Sequence, residues 1–391
     1  IQHTSYPVLN RMEWLRRNKD SMNLTKQNLK LQFSNEILAS LSNLLMPSGL
    51  TNDNSSLNQS VSTNWSYWSE GTISIGKVGD SLSSSAKSIN TTAITIGADK
   101  KIGKDRIHGF ALRFGNDDIT VGNLGSALDM GALSLTFYET RPTGDDMFVD
   151  ILLGASAIKT NLINNSGSVS TDGKRNGQQV FSSIKFRETF TKEKINFTPN
   201  LKIDLGLTTL SDYIEKGADG LNLRFGRQNI GTIVTSLGST IDNTININNG
   251  VLKPNIQLEY NADISPSSRQ VFEYNSNGEN YVIENINNST HNFKGSLGFD
   301  LITDSGLLIT SNYERSQNKG VGHTDAFYFA GSLSSRKDEK YTFGIDGIDT
   351  FNTKLDYKRS LNGFDIAFSS NYKLMSHIPE YGANIELSSA F

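Results

Sequence analysis

From about residue 65 to the end of the chain, apolar and polar residues alternate with a period of two. In Leu201-Lys-Ile-Asp-Leu-Gly-Leu207 the odd positions are Leu, Ile, Leu and Leu, and the even ones are Lys202, Asp204 and Gly206. The stretches 131–137, 147–153, 221–225, 256–260, 293–301 and 364–368 repeat the pattern. So do 65–76, 93–99, 107–115, 180–189, 307–314, 325–333, 341–345 and 351–357. Successive side chains of a strand point to opposite faces, so these segments predict roughly twelve to sixteen β-strands, each with one apolar and one polar side. The last of them, 381–391, puts Tyr381, Ala383, Ile385, Leu387 and Phe391 on one face, and it stops on an aromatic with no polar tail. An open apolar edge strand is a template for aggregation, whereas a strand that closes a barrel has no open edge. The pattern therefore predicts that 381–391 pairs with the first strand, 65–76.

The first 46 residues follow a different period. Pro7 suits a first helical residue with Ser5 before it, and Val8, Met12, Trp14 and Leu15 recur at helical spacing. Arg11, Arg16, Arg17 and Lys19 add a basic cluster. A second amphipathic stretch, with Leu24, Leu31, Ile37, Leu38, Leu41, Leu44 and Leu45, predicts more helix up to Pro47 and Gly49. Residues 47–64 are rich in Ser, Asn, Thr and Gly and read as a flexible linker. Three segments result: 1–46 helical, 47–64 linker, 65–391 all-β.

The connections sort the all-β alternatives. Short turns such as 100–105, 141–145, 192–194 and 303–306 alternate with longer polar stretches such as 161–179 and 263–289. Short turns at one rim and long loops at the other characterise an outer-membrane barrel. A soluble sandwich also alternates, while a solenoid needs a fixed repeat, and none is present. Trp65, Tyr67, Tyr138, Tyr260, Tyr313, Tyr357 and Tyr372 fall at strand ends, where an interfacial aromatic girdle would place them. No apolar run approaches the roughly 18 residues of a membrane helix, but a barrel strand needs only about 9–11.

Composition narrows the chemistry. The 391 residues are 36% hydrophobic and include 34 Gly, no Cys and a formal net charge of −3. That balance offers no basic excess for nucleic acid, and the missing thiols exclude disulfides and thiolate metal sites. The five His (His3, His108, His291, His323 and His377) do not pair at metal-ligand spacing, and no Ser-His-Asp motif surrounds them. Gly97 to Lys104 has the wrong spacing for a phosphate loop, with Asp105 in place of the Ser or Thr. No catalytic, cofactor or metal residue is expected, and the chain does not read as an enzyme.

Several pieces, in order, resemble the C-terminal translocator domain of autotransporters (type V secretion). They are the opening Trp65-Ser-Tyr-Trp68, Ile96-Gly-Ala-Asp-Lys100, the hairpin from Leu135-Thr-Phe-Tyr138 to Asp150-Ile-Leu-Leu-Gly154, Phe197-Thr-Pro-Asn-Leu201, Leu223-Arg-Phe-Gly226 and the closing strand. The resemblance implies a closed antiparallel transmembrane barrel of about twelve strands in the bacterial outer membrane. It also implies that the 1–46 helix is the tail of an exported passenger and runs through the lumen. It implies outer-membrane lipid, the barrel-assembly machinery, periplasmic chaperones and the chain's own passenger as partners. Gly382, Ile385, Leu387 and Phe391 resemble the barrel-insertion signal that the assembly machinery reads by strand pairing. A twelfth strand near 325–333 leaves about 55 residues over, so a count of fourteen to sixteen stays open. A porin-like channel plugged by its N-terminal helix is the alternative function. Arg113, Lys185, Arg187, Lys202, Asp204, Arg224, Glu259, Lys294 and Asp300 are the expected lumen-facing charges, paired with one another or with the helix.

Overall fold

The computed structural model describes residues 2–18, 29–33 and 65–389, apart from 80–84, 104, 276–277, 286–289, 305–306, 334–338, 347–350, 362–363 and 375–380. In chain order it opens with the helix α1, Gln2–Arg17, and a short strand β1, Leu29–Phe33. Then come β2 (Trp65–Val78), β3 (Lys87–Ile102), β4 (Arg106–Val121), β5 (Ser126–Pro142), β6 (Met147–Ser166) and β7 (Val169–Glu188). These are followed by β8 (Phe190–Lys192), β9 (Ile195–Leu210), β10 (Tyr213–Ile214), β11 (Leu223–Phe225) and β12 (Gln228–Asn243). Next are β13 (Ile245–Ile247), β14 (Gly250–Asp263), β15 (Ser268–Tyr274), β16 (Asn280–Asn285), β17 (His291–Thr303), β18 (Leu307–Asn318) and β19 (Gly322–Leu333). The chain ends with β20 (Glu339–Asp346), β21 (Phe351–Leu361), β22 (Phe364–Leu374) and β23 (Tyr381–Ser389).

Twelve of these strands form one closed antiparallel wall. Each wall strand pairs with the next from β2 through β7, β9, β12, β14, β17 and β18 to β19, and β19 pairs back onto β2. Closure leaves no wall edge, so every wall strand has a neighbour on both sides. The seam is short: Gly322–Phe329 pairs with Val78–Gly71 over eight positions, whereas β6 and β7 pair over twenty.

The wall is inside out relative to a soluble core. Leu201, Leu205 and Leu207 on β9 are 43–50% exposed, while the intervening Lys202 and Asp204 are each 1% exposed. Phe137, Leu153, Leu237, Leu258, Phe293, Leu297 and Phe327 are exposed as well, and Arg113, Asp150, Lys185, Lys294 and Asp300 are buried. A sandwich would bury the leucines. Only a nonpolar surrounding makes this arrangement favourable, so the apolar band is the lipid face and the polar side chains fill the interior. No helix among the described residues is long and apolar enough to cross a membrane.

The rims differ. Connections 103–105, 143–146, 189–194, 244–249 and 304–306 lie at one rim, and 211–227 and 264–290 lie at the other. The stretch 161–179, expected as a loop, is strand: β6 and β7 run for twenty residues each and turn at Gly167, whose φ of 63° suits a two-residue hairpin. About half of such a strand suffices to cross a membrane, so the rest projects into water, where the polar residues of 161–179 belong. The long connections also fold into a four-stranded sheet, β10-β11-β15-β16, a cap at this rim.

Other expectations need correction. The second helical stretch is strand where it is described, since β1 pairs in parallel with β20. Residues 34–64, including the linker, lie outside the described residues. The wall ends at Leu333 rather than at 391: β19, not β23, pairs with β2, and β20 to β23 form a separate sheet with β1. Strands β19 and β23 alternate alike, so period two could not choose between them, and the observed closure uses the strand already hydrogen-bonded to β18. In the separate sheet β22 comes near β4, and the outward-facing Ile96, Leu112 and Phe114 of β3 and β4 are buried.

An arginine placed on the lipid face tests the wall's polarity. Leu205→Arg is expected to cost about 2–4 kcal/mol near the bilayer midplane. Reversible urea unfolding in lipid vesicles measures it, and a cost near zero would contradict the lipid-facing assignment.

Candidate functional site

The lumen is filled by α1. The helix begins at Gln2, ahead of the expected start at Pro7. Proline lacks an N–H and so leaves a carbonyl of the preceding turn without its helical partner, a loss tolerable this close to the helix start. At the other end Arg16 and Arg17 complement the helix dipole, and the Asn18 backbone N–H and side-chain amide both donate to the Trp14 carbonyl at 3.0 Å.

One side of α1 is apolar and meets an apolar patch of the inner wall. Val8, Leu9 and Met12 cluster with Trp68, Ala111, Tyr138, Leu152 and Phe181. Glycines make room for the rings: a Cβ on Gly97 would lie 2.4 Å from Trp68, and one on Gly154 would lie 2.2 Å from Phe181. The large side chains therefore lie flat against the neighbouring strand and leave a channel as wide as a helix.

The rest of α1 is held by charge. Arg11 donates twice to Asp99, at 2.7 and 3.1 Å, and Asp99 also accepts from the Tyr138 hydroxyl at 3.0 Å. Arg17 donates to both oxygens of Asp300, at 2.9 and 3.3 Å. The Asn18 side chain and Thr310 add donors to Asp300 at 3.1 and 3.0 Å. Arg16 reaches Thr140 Oγ1 at 2.6 Å and the Asp105 carbonyl at 3.1 Å, and its guanidinium stacks 3.7 Å over Phe148. The helix's own carboxylate, Glu13, is held by Lys185 and by the Gln257 amide at 2.5 Å. Higher up, the Tyr6 hydroxyl donates to Glu259 at 3.3 Å, and Lys294 lies 3.5 Å from the Tyr6 ring centre.

Of the predicted lumen charges, Arg113, Lys185, Arg187, Lys202, Asp204, Lys294 and Asp300 are buried inside the wall. Glu259 is half-buried among them, 3.2 Å from Lys202 and 3.7 Å from Lys294. Arg187 pairs with Asp150 at 2.6 Å and donates to the Met12 carbonyl at 3.4 Å. Arg224 is the exception. It lies on β11 in the cap, half exposed and 3.7 Å from Glu273. Its strand alternates like a wall strand but is only three residues long.

The aromatic predictions divide. Trp65 packs against Phe110 at 5.1 Å, Tyr260 stacks on His291, and Tyr313 is exposed and bonded to Asp325 at 2.7 Å. Tyr138 is a correction: it points into the lumen, 3% exposed, accepting from Trp68 Nε1 at 2.9 Å. Tyr357 is half-buried on β21 in the separate sheet. Tyr372 is on β22 and Tyr67 on β2, with side chains outside the described residues, as is Phe391. Gly382, Ile385 and Leu387 are on β23, with Ile385 and Leu387 well exposed. Asp99, Thr140, Asp150, Lys253, Gln257 and Glu314 were not predicted, although their inward parity was readable. Thr91, Thr95 and Asp99, for example, alternate with Ile94, Ile96 and Ala98. Among the described residues no group of three His, Cys, Asp or Glu stands close enough to hold a metal.

A sequence model of the autotransporter beta-domain matches residues 67–314. The chain belongs to this family. Its barrel is an outer-membrane translocator that anchors a passenger, a transport and secretion fold rather than an enzymatic one. The translocator domain of the autotransporter NalP from Neisseria meningitidis is similar in fold, with a TM-score of 0.56 and 14% identity over 70% of this chain and 89% of that one. The beta domain of the Bordetella autotransporter BrkA gives 0.51 and 13%, over 70% of this chain and all of that one. No curated protein matches the sequence. The family match stops at Glu314, inside β18, so the closing strand of the autotransporter wall and the sheet that follows lie beyond it.

The charge contacts make the helix hard to remove by halves. Truncating one partner of a buried ion pair strands the other, at a cost of about 3–5 kcal/mol. Asp99→Ala is expected to weaken helix retention by that order, and Arg11→Ala combined with it should cost less than the sum. A double-mutant cycle, read by the denaturant concentration at which a probe on α1 leaves the lumen, measures this coupling. Strict additivity would show that the pair does not hold the helix.

Proposed function

We propose that α1 is the stub of the passenger, retained in the lumen as a plug after translocation. The observation that carries this reading is the set of wall side chains that grip helix groups directly: Asp99 on Arg11, Asp300 on Arg17, Lys185 and Gln257 on Glu13. The direction of the helix supports it. Arg16 and Arg17 bond near the short-turn rim, at Asp105 and Asp300, while Tyr6 bonds higher in the wall, at Glu259. Short turns face the periplasm in such barrels. The N-terminal end of α1 is therefore aimed at the outer rim, the way a passenger ahead of it must go.

Deleting residues 1–18 in a planar bilayer preparation is expected to open a large, steady ion conductance absent from the intact chain. An intact chain that already conducts as widely as the deletion would overturn the plug and favour a porin-like channel. The cavity beside the helix, lined by Arg16, Phe148, Arg187 and Asp242, makes a small residual conductance compatible with the plug.

The assembly partners belong to the same reading. Gly382, Ile385, Leu387 and Phe391 serve as the address by which periplasmic chaperones and the barrel-assembly machinery take up the chain, through the free edge of β23. That edge pairs only with β22 among the described residues, and its Tyr381, Ile385 and Leu387 are exposed. The lumen groups bind a helix and carry out no reaction. Adding polar residues after Phe391, or Phe391→Ser, should lower surface levels several-fold in cells. Unchanged surface levels would remove the address from the proposal.

A further inference from the structure

The cap contains an interaction edge that the translocator role does not use. Its four strands are stiffened by a ladder of aromatic rings. Tyr213 stacks on Phe225 at 4.7 Å, Phe225 on Phe272 at 5.7 Å, and Phe272 on Tyr281 at 5.4 Å. Arg175 ties this sheet to β7: it donates to the Ser211 carbonyl at 2.6 Å, the Gly226 carbonyl at 3.1 Å and the Gln270 side chain at 3.0 Å. Its guanidinium also lies 5.4 Å from the centre of the Tyr213 ring. Burial pushes the Tyr213 hydroxyl up to about 12 and raises Glu215. At one end β10 is followed by a bridge from Lys216 to Asp172 of β7. At the other end, among the described residues, β16 pairs only with β15.

That outer edge is Asn280-Tyr-Val-Ile-Glu-Asn285, with Val282 60%, Ile283 46% and Tyr281 39% exposed. Edge strands are normally guarded by charge, proline or a bulge, and this one has no lysine or proline and a single charge, Glu284. Its three central residues are apolar, and the strand is already ordered on β15, so pairing it costs little further ordering entropy.

We propose that β16 pairs antiparallel with β16 of a second copy of this chain, on a two-fold axis at Val282. The register follows from hydrogen-bond geometry. In an antiparallel ladder, residues facing each other both turn their N–H and C=O toward the gap or both turn them away. A strand pairing with itself can therefore centre only on a residue, not between two. Centred on Val282, Tyr281 lies opposite Ile283 of the second copy, Val282 opposite Val282, and Asn280 opposite Glu284. Every apolar residue then meets an apolar one, and no like charges meet. Centring on Ile283 would set Val282 against Glu284, and centring on Tyr281 would set Ile283 against Glu279. Two barrels in one membrane are related by an axis along its normal, so this pairing requires the cap sheet to lie across the rim with β16 running parallel to the membrane.

The chain has no cysteine, so a single introduced thiol can only form a disulfide between copies. Residues directly opposite in a ladder have Cβ atoms about 4.5–5.5 Å apart, close to disulfide reach. The full chain in detergent micelles or vesicles, oxidised mildly, should give several-fold more covalent dimer as Val282→Cys than as Ile283→Cys or as Leu221→Cys, the last at an exposed cap site. The unaltered chain should sediment as a dimer, and Val282→Lys, which sets two charges face to face, should sediment as a monomer with the barrel intact by heat-modifiable gel mobility. A monomeric unaltered chain, a dimer unaffected by Val282→Lys, or equal cross-linking at the three sites would each overturn the pairing. None of these results depends on whether α1 plugs the lumen.

Discussion

The closed wall follows from the requirement that backbone N–H and C=O groups in lipid be paired within the protein. A sheet meets it only by closing on itself. Eight residue pairs between β19 and β2 complete that closure, against twenty between β6 and β7. Once the wall is closed, a side chain points either outward or into the lumen. Period-two alternation then sorts Leu201, Leu205 and Leu207 outward and Lys202 and Asp204 inward with no further choice.

Closure also creates the electrostatic problem that α1 answers. A wall of this size leaves room inside for more than side chains, and charges buried there are costly unless paired. Some pair within the wall, as Arg187 does with Asp150 and Lys202 with Asp204 and Glu259. Others, Asp99 and Asp300, find their cations on the helix. The helix is thus part of the lumen's charge balance. Glycines opposite Trp68 and Phe181 supply the space, and the apolar cluster around Met12 supplies the non-directional part of the grip. Helix and wall thus share one polar interior and satisfy each other's charges.

The outer end follows a different logic, because water rather than lipid surrounds it. Strands β6 and β7 continue past the membrane, and the long connections pair with one another into a cap. That cap is fastened at Arg175, where one guanidinium serves three strand ends. Open edges reappear there, since water tolerates an unpaired backbone group that lipid does not. The apolar edge of β16 is one such open edge, carried in the water-facing part of the protein.

Alternation along single strands needed no structure to be read. It disclosed the all-β class, the inward parity of Lys202, Asp204, Lys294 and Asp300, and the distinct helical start with Arg11, Arg16 and Arg17. Parity would also have put Tyr138 inside, since it alternates with Leu135 and Phe137, had its place near a strand end not suggested the interface. What alternation could not disclose is which strands neighbour which. Arg224 sits in a three-residue cap strand that reads like a wall strand. β19 and β23 read alike, yet only one closes the wall. Leu31 belongs to an amphipathic run and lies in a strand beside β20. The reason is the same in each case. A strand's periodicity is local and is written in its own residues, whereas its neighbours are chosen by long-range hydrogen bonding and by how many strands the closed wall admits, so pairing was decided by the tertiary structure alone.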